Sequence, residues 1–147
     1  MIANVAAFLT MIAWSEGTLS VPGNDNGYNV VVGGTLFTSY ADHPRIAVQI
    51  GKGLVSTAAG RYQIREPIFD AYKTRLKLPD FSPNSQDAIA DQLITECEAL
   101  SDINAGNIES AILKCSSRWA SLPGGDYGQR TNSVAALTAQ FQSALAG

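Results

Sequence analysis

The sequence predicts an α+β domain, mostly helical, with a small antiparallel β-sheet placed to form one wall of a cleft against the helical part. Three observations carry this expectation. Apolar residues recur at helical spacing near residue 5 and again after residue 66. Between residues 27 and 40 the texture changes, and β-branched and aromatic residues crowd around Gly33 and Gly34. The chain has 147 residues, the length of a single domain (1–147) able to bury roughly two thirds of the surface its unfolded form exposes.

The elements follow in order. In "MIANVAAFLTMIAW", Val5, Phe8, Leu9 and Ile12 make a buried helical stripe, and Gly17 is placed to stop that helix with Glu16 in its last turn. The pair Gly33-Gly34 in "GYNVVVGGTLFTSY" supplies a tight hairpin turn, and this is the one sheet expected. After a loop ending near Gly60, Pro67 marks the start of a helix over "EPIFDAYKTRLKL". Ser82 as N-cap and Pro83 at the first helical position open "SPNSQDAIADQLITECEAL", whose buried stripe is Ile89, Leu93, Ile94 and Cys97. Asn107 caps "IESAILKCSSRWASL", and "TNSVAALTAQFQSALA" brings Val134, Leu137, Phe141 and Leu145 onto one face.

Composition excludes several classes of function. Apolar residues make up 46% and charged residues 16%, an ordinary globular balance without low-complexity tracts. A net charge of −3 gives no general attraction to polyanions such as nucleic acid, and the seven of ten basic residues between Arg45 and Lys77 read as a solvated face, with a local preference for an acidic ligand as the alternative. No Lys or Arg precedes the opening apolar run, which is too short to span a bilayer, so it reads as a buried helix rather than a signal peptide or membrane anchor. A lone histidine, His43, cannot build a multi-histidine metal site, and no Cys, Asp and Glu cluster replaces it, so no metal and no cofactor is expected. Cys97 and Cys115 fall on apolar helical positions; buried free thiols fit this placement, and the spacing leaves a disulfide open. A Cys-His nucleophilic pair fits poorly with two thiols read as buried.

Glu16 is the first ionisable side chain in the chain, and its setting bears on its protonation. A carboxylate in the last turn of a helix faces the negative end of the macrodipole, and Ala13, Trp14 and the run before them imply poor hydration. Both effects favour the neutral acid. A carboxylic acid kept protonated near neutral pH suits general acid chemistry on a glycosidic oxygen, whereas a helix-terminal Glu on an ordinary surface is simply a solvated charge.

The stretches "AWSEGT", "GGTLFTSYADHPR", "STAAGRYQ", "DFSPNSQDA" and "WASLPGGDYGQ" occur in one order from about Phe8 to Gln129. Together they resemble the lambda-type endolysins, lytic transglycosylases of the lysozyme-like superfamily. The resemblance implies a lysozyme-like fold and cleavage of peptidoglycan glycan strands between N-acetylmuramic acid and N-acetylglucosamine, with Glu16 as catalytic acid. It also implies that Ser56, Thr57, Gly60, Tyr62, Gln63, Tyr127 and Gln129 contribute to substrate binding. Gln63 and Gln129 offer amide groups to sugars, Tyr62 and Tyr127 a flat face with a polar tip, and Gly60 a close approach. The family pattern further implies a monomer that accumulates in the host cytoplasm and reaches the periplasmic wall when a holin opens the membrane. A hydrolytic muramidase on the same fold, and a glycan-binding module without turnover, are the alternatives. Two departures lie near the expected cleft: "LSVPGNDN" is shorter than its family counterpart, and Asn29 stands where the family has Asp. Asp25 and Asp42, the remaining acids before Gln63, sit in turn-forming sequence. Trp119 reads as a core anchor.

Overall fold

The computed structural model describes residues 2–124 and 131–147. The chain divides into two compact units, Met1–Glu16 with Asp91–Gly147, and Gly17–Ala90.

The first unit is helical. Its elements are α1 (Ala3–Ser15), α4 (Leu100–Ala105), α5 (Ile108–Cys115) and α6 (Val134–Ala146), together with the end of α3 (Pro83–Glu96), which starts in the other unit. Helix α1 is buried on most of its surface, through Val5, Ala7, Phe8, Leu9, Met11, Ile12 and Ala13, because it packs on both α6 and α4. Asn4 ties its first turn to α4, donating from Nδ2 to the carbonyl of Ile103 at 2.9 Å. Ile103, Ala111, Ile112, Trp119, Leu122, Leu137 and Phe141 complete this core. Helix α6 starts as a Ser N-cap should, with the Ser133 hydroxyl accepting from the Ala136 N–H at 3.1 Å.

Two helix ends and one helix face differ from the sequence reading. The segment expected to run to Leu100 stops at Glu96, where the Ala99 N–H reaches the Ile94 carbonyl and the Glu98 N–H reaches that of Thr95, with Glu98 at φ 60°. This is a Schellman stop built on a non-glycine residue. The segment expected to run to Leu122 ends at Cys115, and Asn107 stands at its N-cap position without a side-chain cap bond. On α6, Leu145 lies outside the buried face at 39% exposure. Cys97 and Cys115 are free thiols, the second buried, and burial pushes its pKa up.

The second unit holds two small antiparallel sheets rather than one. In the first, β1 (Val30–Val31) pairs with β2 (Thr35–Leu36) around Gly33 and Gly34 at φ 92° and 98°, a backbone region costly for other residues. In the second, β3 (Val48–Gly51) pairs with β4 (Leu54–Ser56) through a register irregularity between Gln49 and Gly51. This hairpin evaded the sequence reading because its apolar residues face water: Leu54 is 61% and Val55 66% exposed. Bridges from Val31 to Ala59 and from Ala59 to Ile64 join the first sheet to the turn at residues 60–63. Helix α2 (Glu66–Leu76) and the start of α3 follow, the latter opened by Pro83 with Ser82 Oγ accepting from the Ser85 N–H at 3.4 Å. An aromatic cluster of Phe37, Phe69, Phe81 and His43 fills the centre of this unit.

Candidate active site

Helix α1 ends at a single point because Gly17 takes φ 79°, which leaves Glu16 as the C-cap residue. The Glu16 side chain is half-buried beside Ser121, whose hydroxyl donates to Oε2 at 2.6 Å. Ser121 Oγ lies 2.7 Å from Ser15 Oγ, and Asn132 Nδ2 donates to Ser15 Oγ at 3.0 Å. Backbone bonding fixes the two outer members, since the Asn132 N–H donates to the Ser121 carbonyl at 3.0 Å. Burial is the dominant influence on the carboxyl group and raises its pKa from 4.5 to about 6, while the Ser121 hydrogen bond pulls the other way. The result is an acid that stays largely protonated into the mildly acidic range.

The second unit carries a polar cluster around residues 60–63. Gly60 adopts φ 84°, and a Cβ there would run into the Gln86 side-chain amide. That amide is fully committed: Oε1 accepts from the Arg61 N–H at 2.9 Å, and Nε2 donates to the carbonyls of Phe81 at 2.9 Å and Tyr28 at 3.1 Å. Tyr62 is only 1% exposed. Its hydroxyl donates to Asp87 Oδ1 at 2.6 Å, the same oxygen that receives Tyr28 at 2.9 Å, and the Arg61 guanidinium lies over both rings. Burial is the main reason that both phenols titrate above their ordinary range. The flat face expected to meet a sugar is therefore packed inside the unit. Gln63, at φ 53° and half-buried, spends Nε2 on the carbonyls of Gly60 at 3.0 Å and Val30 at 3.3 Å, which presents Oε1 as an acceptor. Ser56 Oγ accepts from the Ala58 N–H at 3.1 Å, and Thr57 Oγ1 from the Glu66 N–H at 3.0 Å, closing the start of α2. The structure thus gathers Gly60, Tyr62 and Gln63 into one turn with Ser56 and Thr57 just before it. Tyr127 and Gln129 lie outside the described residues.

The other acids before Gln63 are occupied. Asp25 accepts from the Tyr40 hydroxyl at 2.7 Å, its N–H donates to Asn29 Oδ1 at 2.7 Å, and Asp42 pairs with Arg45 at 2.9 Å. Hydrogen bonding from Arg45 holds the Asp42 carboxyl below the usual range. His43 is buried, with Nδ1 accepting from the Arg45 N–H at 3.0 Å and Nε2 donating to the Ile64 carbonyl at 2.8 Å, so it is the neutral Nε2–H tautomer. Among the described residues, no group of three or more His, Cys, Asp or Glu is placed to hold a metal ion, and no helix is long and apolar enough to cross a membrane.

Sequence reasoning named Glu16 but not the side chains bonded around it, Ser121, Ser15 and Asn132, nor Asp87 beside Tyr62. Ser15 and Ser121 lie inside stretches already singled out, "AWSEGT" and "WASLPGGDYGQ". Nothing local marks them as partners, because the contacts join residues 105 and more positions apart.

Comparison with known proteins settles the family, since a profile described as Endolysin matches residues 6–147. The chain belongs to the endolysin family. Among endolysins, that of Escherichia phage lambda is 51% identical over 140 residues, covering 94% of this chain and 89% of the relative. That of Escherichia phage P2 is 48% identical, covering 96% and 92%. A solved structure of bacteriophage lambda lysozyme complexed with a chitohexasaccharide superposes with a TM-score of 0.96 at 49% identity, over 98% of this chain and 95% of that one. A second lambda lysozyme structure gives 0.92 at 48% identity. The α+β, lysozyme-like fold of this endolysin is shown by that agreement.

Proposed function

We propose that this chain is a phage endolysin that cleaves the N-acetylmuramic acid–N-acetylglucosamine bond of peptidoglycan by lytic transglycosylation, leaving 1,6-anhydromuramoyl ends. The observation that carries the reading is the Glu16 carboxyl group, raised to about 6 by burial at the end of α1 and held through one oxygen by Ser121. The lambda lysozyme relative, solved with a chitohexasaccharide, supports a glycan as substrate.

In this mechanism Glu16 protonates the glycosidic oxygen as the C1–O bond breaks, and the substrate's acetamido group supports the positive charge developing at C1. The resulting carboxylate takes the proton of the muramic acid C6 hydroxyl while that oxygen closes on C1. Intramolecular attack has a large effective concentration and needs no bound water. A hydrolase would need a second acid as nucleophile or base. Asp25 and Asp42, the nearest in sequence, are held by Tyr40 and Arg45, which favours the internal hydroxyl. Gln63 serves the substrate as an acceptor for a sugar hydroxyl or acetamido N–H, and Tyr127 and Gln129 complete the binding set. Ser56, Thr57, Gly60 and Tyr62 act by fixing the turn that presents Gln63. The chain works as a monomer, accumulates in the host cytoplasm and meets the wall once a holin opens the membrane.

Digestion of purified wall in heavy-oxygen water, followed by mass spectrometry, tests the reading. The expected product is an unlabelled anhydromuramoyl end, lighter by one water than the hydrolytic product. Label at new muramic acid ends would move the chain to the hydrolytic class, and wall bound without released fragments would make it a binding module. Asp25→Asn and Asp42→Asn should retain most of the parental rate.

A further inference from the structure

The polar side chains beside Glu16 form a line, and the line has a direction. Asn132 Nδ2 lies 3.0 Å from Ser15 Oγ and 3.4 Å from the Ser15 carbonyl oxygen. A backbone carbonyl only accepts, so the amide turns its NH2 edge to Ser15, and the Ser15 hydroxyl must accept there. The Ser15 proton has two acceptors on Ser121, the backbone carbonyl at 3.5 Å and Oγ at 2.7 Å, and the much shorter contact directs it to Oγ, which leaves the Ser121 proton for Glu16 Oε2, 2.6 Å away. We propose that Asn132, Ser15 and Ser121 form a one-way hydrogen-bond relay that fixes Oε2 of Glu16 as the accepting oxygen and reserves Oε1 for the proton exchanged with substrate. Ser121 is the positioning residue of this relay.

The inference rests on the reading of Glu16 as the acid and adds a division of labour between its two oxygens. With Oε2 receiving the Ser121 proton, the acid proton sits on Oε1. It passes to the glycosidic oxygen as the C1–O bond breaks, and the carboxylate left behind is half-buried. At that moment the Ser121 bond becomes charge-assisted and roughly doubles in strength, so it favours the transition state over the neutral ground state. Oε1 then takes the C6 hydroxyl proton as that oxygen bonds to C1, which restores the starting acid with no net gain or loss of protons. The relay protons themselves stay in place. Because the Asn132 N–H holds the Ser121 carbonyl independently of either side chain, the hydroxyl can be removed without releasing the segment.

Turnover of purified wall across pH tests this. A hydrogen bond to a charged group supports a loss of about 10- to 100-fold in kcat for Ser121→Ala, with KM little changed. The alkaline limb of its rate profile should move to higher pH, since a bond favouring the carboxylate has gone. Ser121→Thr keeps the hydroxyl and should restore both. Ser15→Ala leaves Ser121 in place and should lower kcat by a smaller factor, with the limb displaced in the same direction. Parental kcat and an unmoved limb in Ser121→Ala, or in Ser15→Ala, would overturn the relay. Glu16→Gln run in parallel separates the two claims: if it too turns over at the parental rate, the assignment of Glu16 has failed, and if it alone is inactive, only the relay has.

Discussion

Replacing Glu16 by Gln should make the protein more stable, by an amount set by pH. Burial raises the Glu16 pKa from 4.5 to about 6, so the folded chain binds the proton more tightly than the unfolded chain in that interval. A raised carboxyl pKa contributes stability that is fully present below 4.5 and lost as pH rises through about 6. At about 1.4 kcal/mol per unit, the ionised side chain costs the fold about 2 kcal/mol above that range. Gln is neutral throughout and its side-chain oxygen still accepts from Ser121. The variant should therefore exceed the parent by about 2 kcal/mol at about pH 8, a rise of about 4–8 °C in Tm, and match it at about pH 4. Urea titrations of both proteins at the two pH values measure this, and titrations elsewhere in the chain, His43 included, cancel in the difference. The activity should fall at the same time by about a hundredfold to ten-thousandfold, the worth of a general acid. A variant less stable than the parent at the higher pH, or a gap that does not close in acid, would refute a buried, reluctantly ionised Glu16.

Two further outcomes follow from the second unit. Gly60→Ala combines an unfavourable left-handed backbone with a collision at the Gln86 amide, and should cost about 2–4 kcal/mol in urea denaturation; parental stability would show that the turn is not built as described. His43 is the one histidine, so nitrogen-resolved NMR of its ring is unambiguous: the Nε2–H tautomer should titrate with a midpoint below 6.5, chiefly through burial, and a midpoint above 6.5 would contradict its packing against Phe69 and Phe81.

What the sequence disclosed, and what it hid, divides along physical lines. The stop at Gly17, the turn at Gly33-Gly34 and the start at Pro83 were legible because each rests on the chain's own backbone chemistry within a few residues. The stop at Glu98 was hidden because a side chain other than glycine occupies the left-handed position there. The β3–β4 hairpin was hidden because Leu54 and Val55 point apolar groups at water, so burial patterning gave the wrong sign. Tyr62 could equally stack on a sugar or pack inside; its bond to Asp87, 25 positions away, decides between them. For the candidate site, the carboxyl at the helix end and the upward direction of its pKa could be read from the sequence, while the hydroxyls that hold it could not, since Ser and Asn residues carry no mark of a distant partner.

With Glu16 as the proposed acid, the pairing of α1 with α6, and of residues 15 and 16 with 121 and 132, would also govern when the chemistry can begin. These contacts close loops of 105 to 117 positions, the kind of non-local closure that makes folding slow. Until they form, Glu16 stands in water, ionises as an ordinary carboxylate and is a poor proton donor near neutral pH. On that proposal the acid would be assembled by long-range docking of the helices rather than carried by α1 alone. A partly folded chain is chemically silent, and the rate at which activity appears during refolding should report that last long-range closure instead of early helix formation.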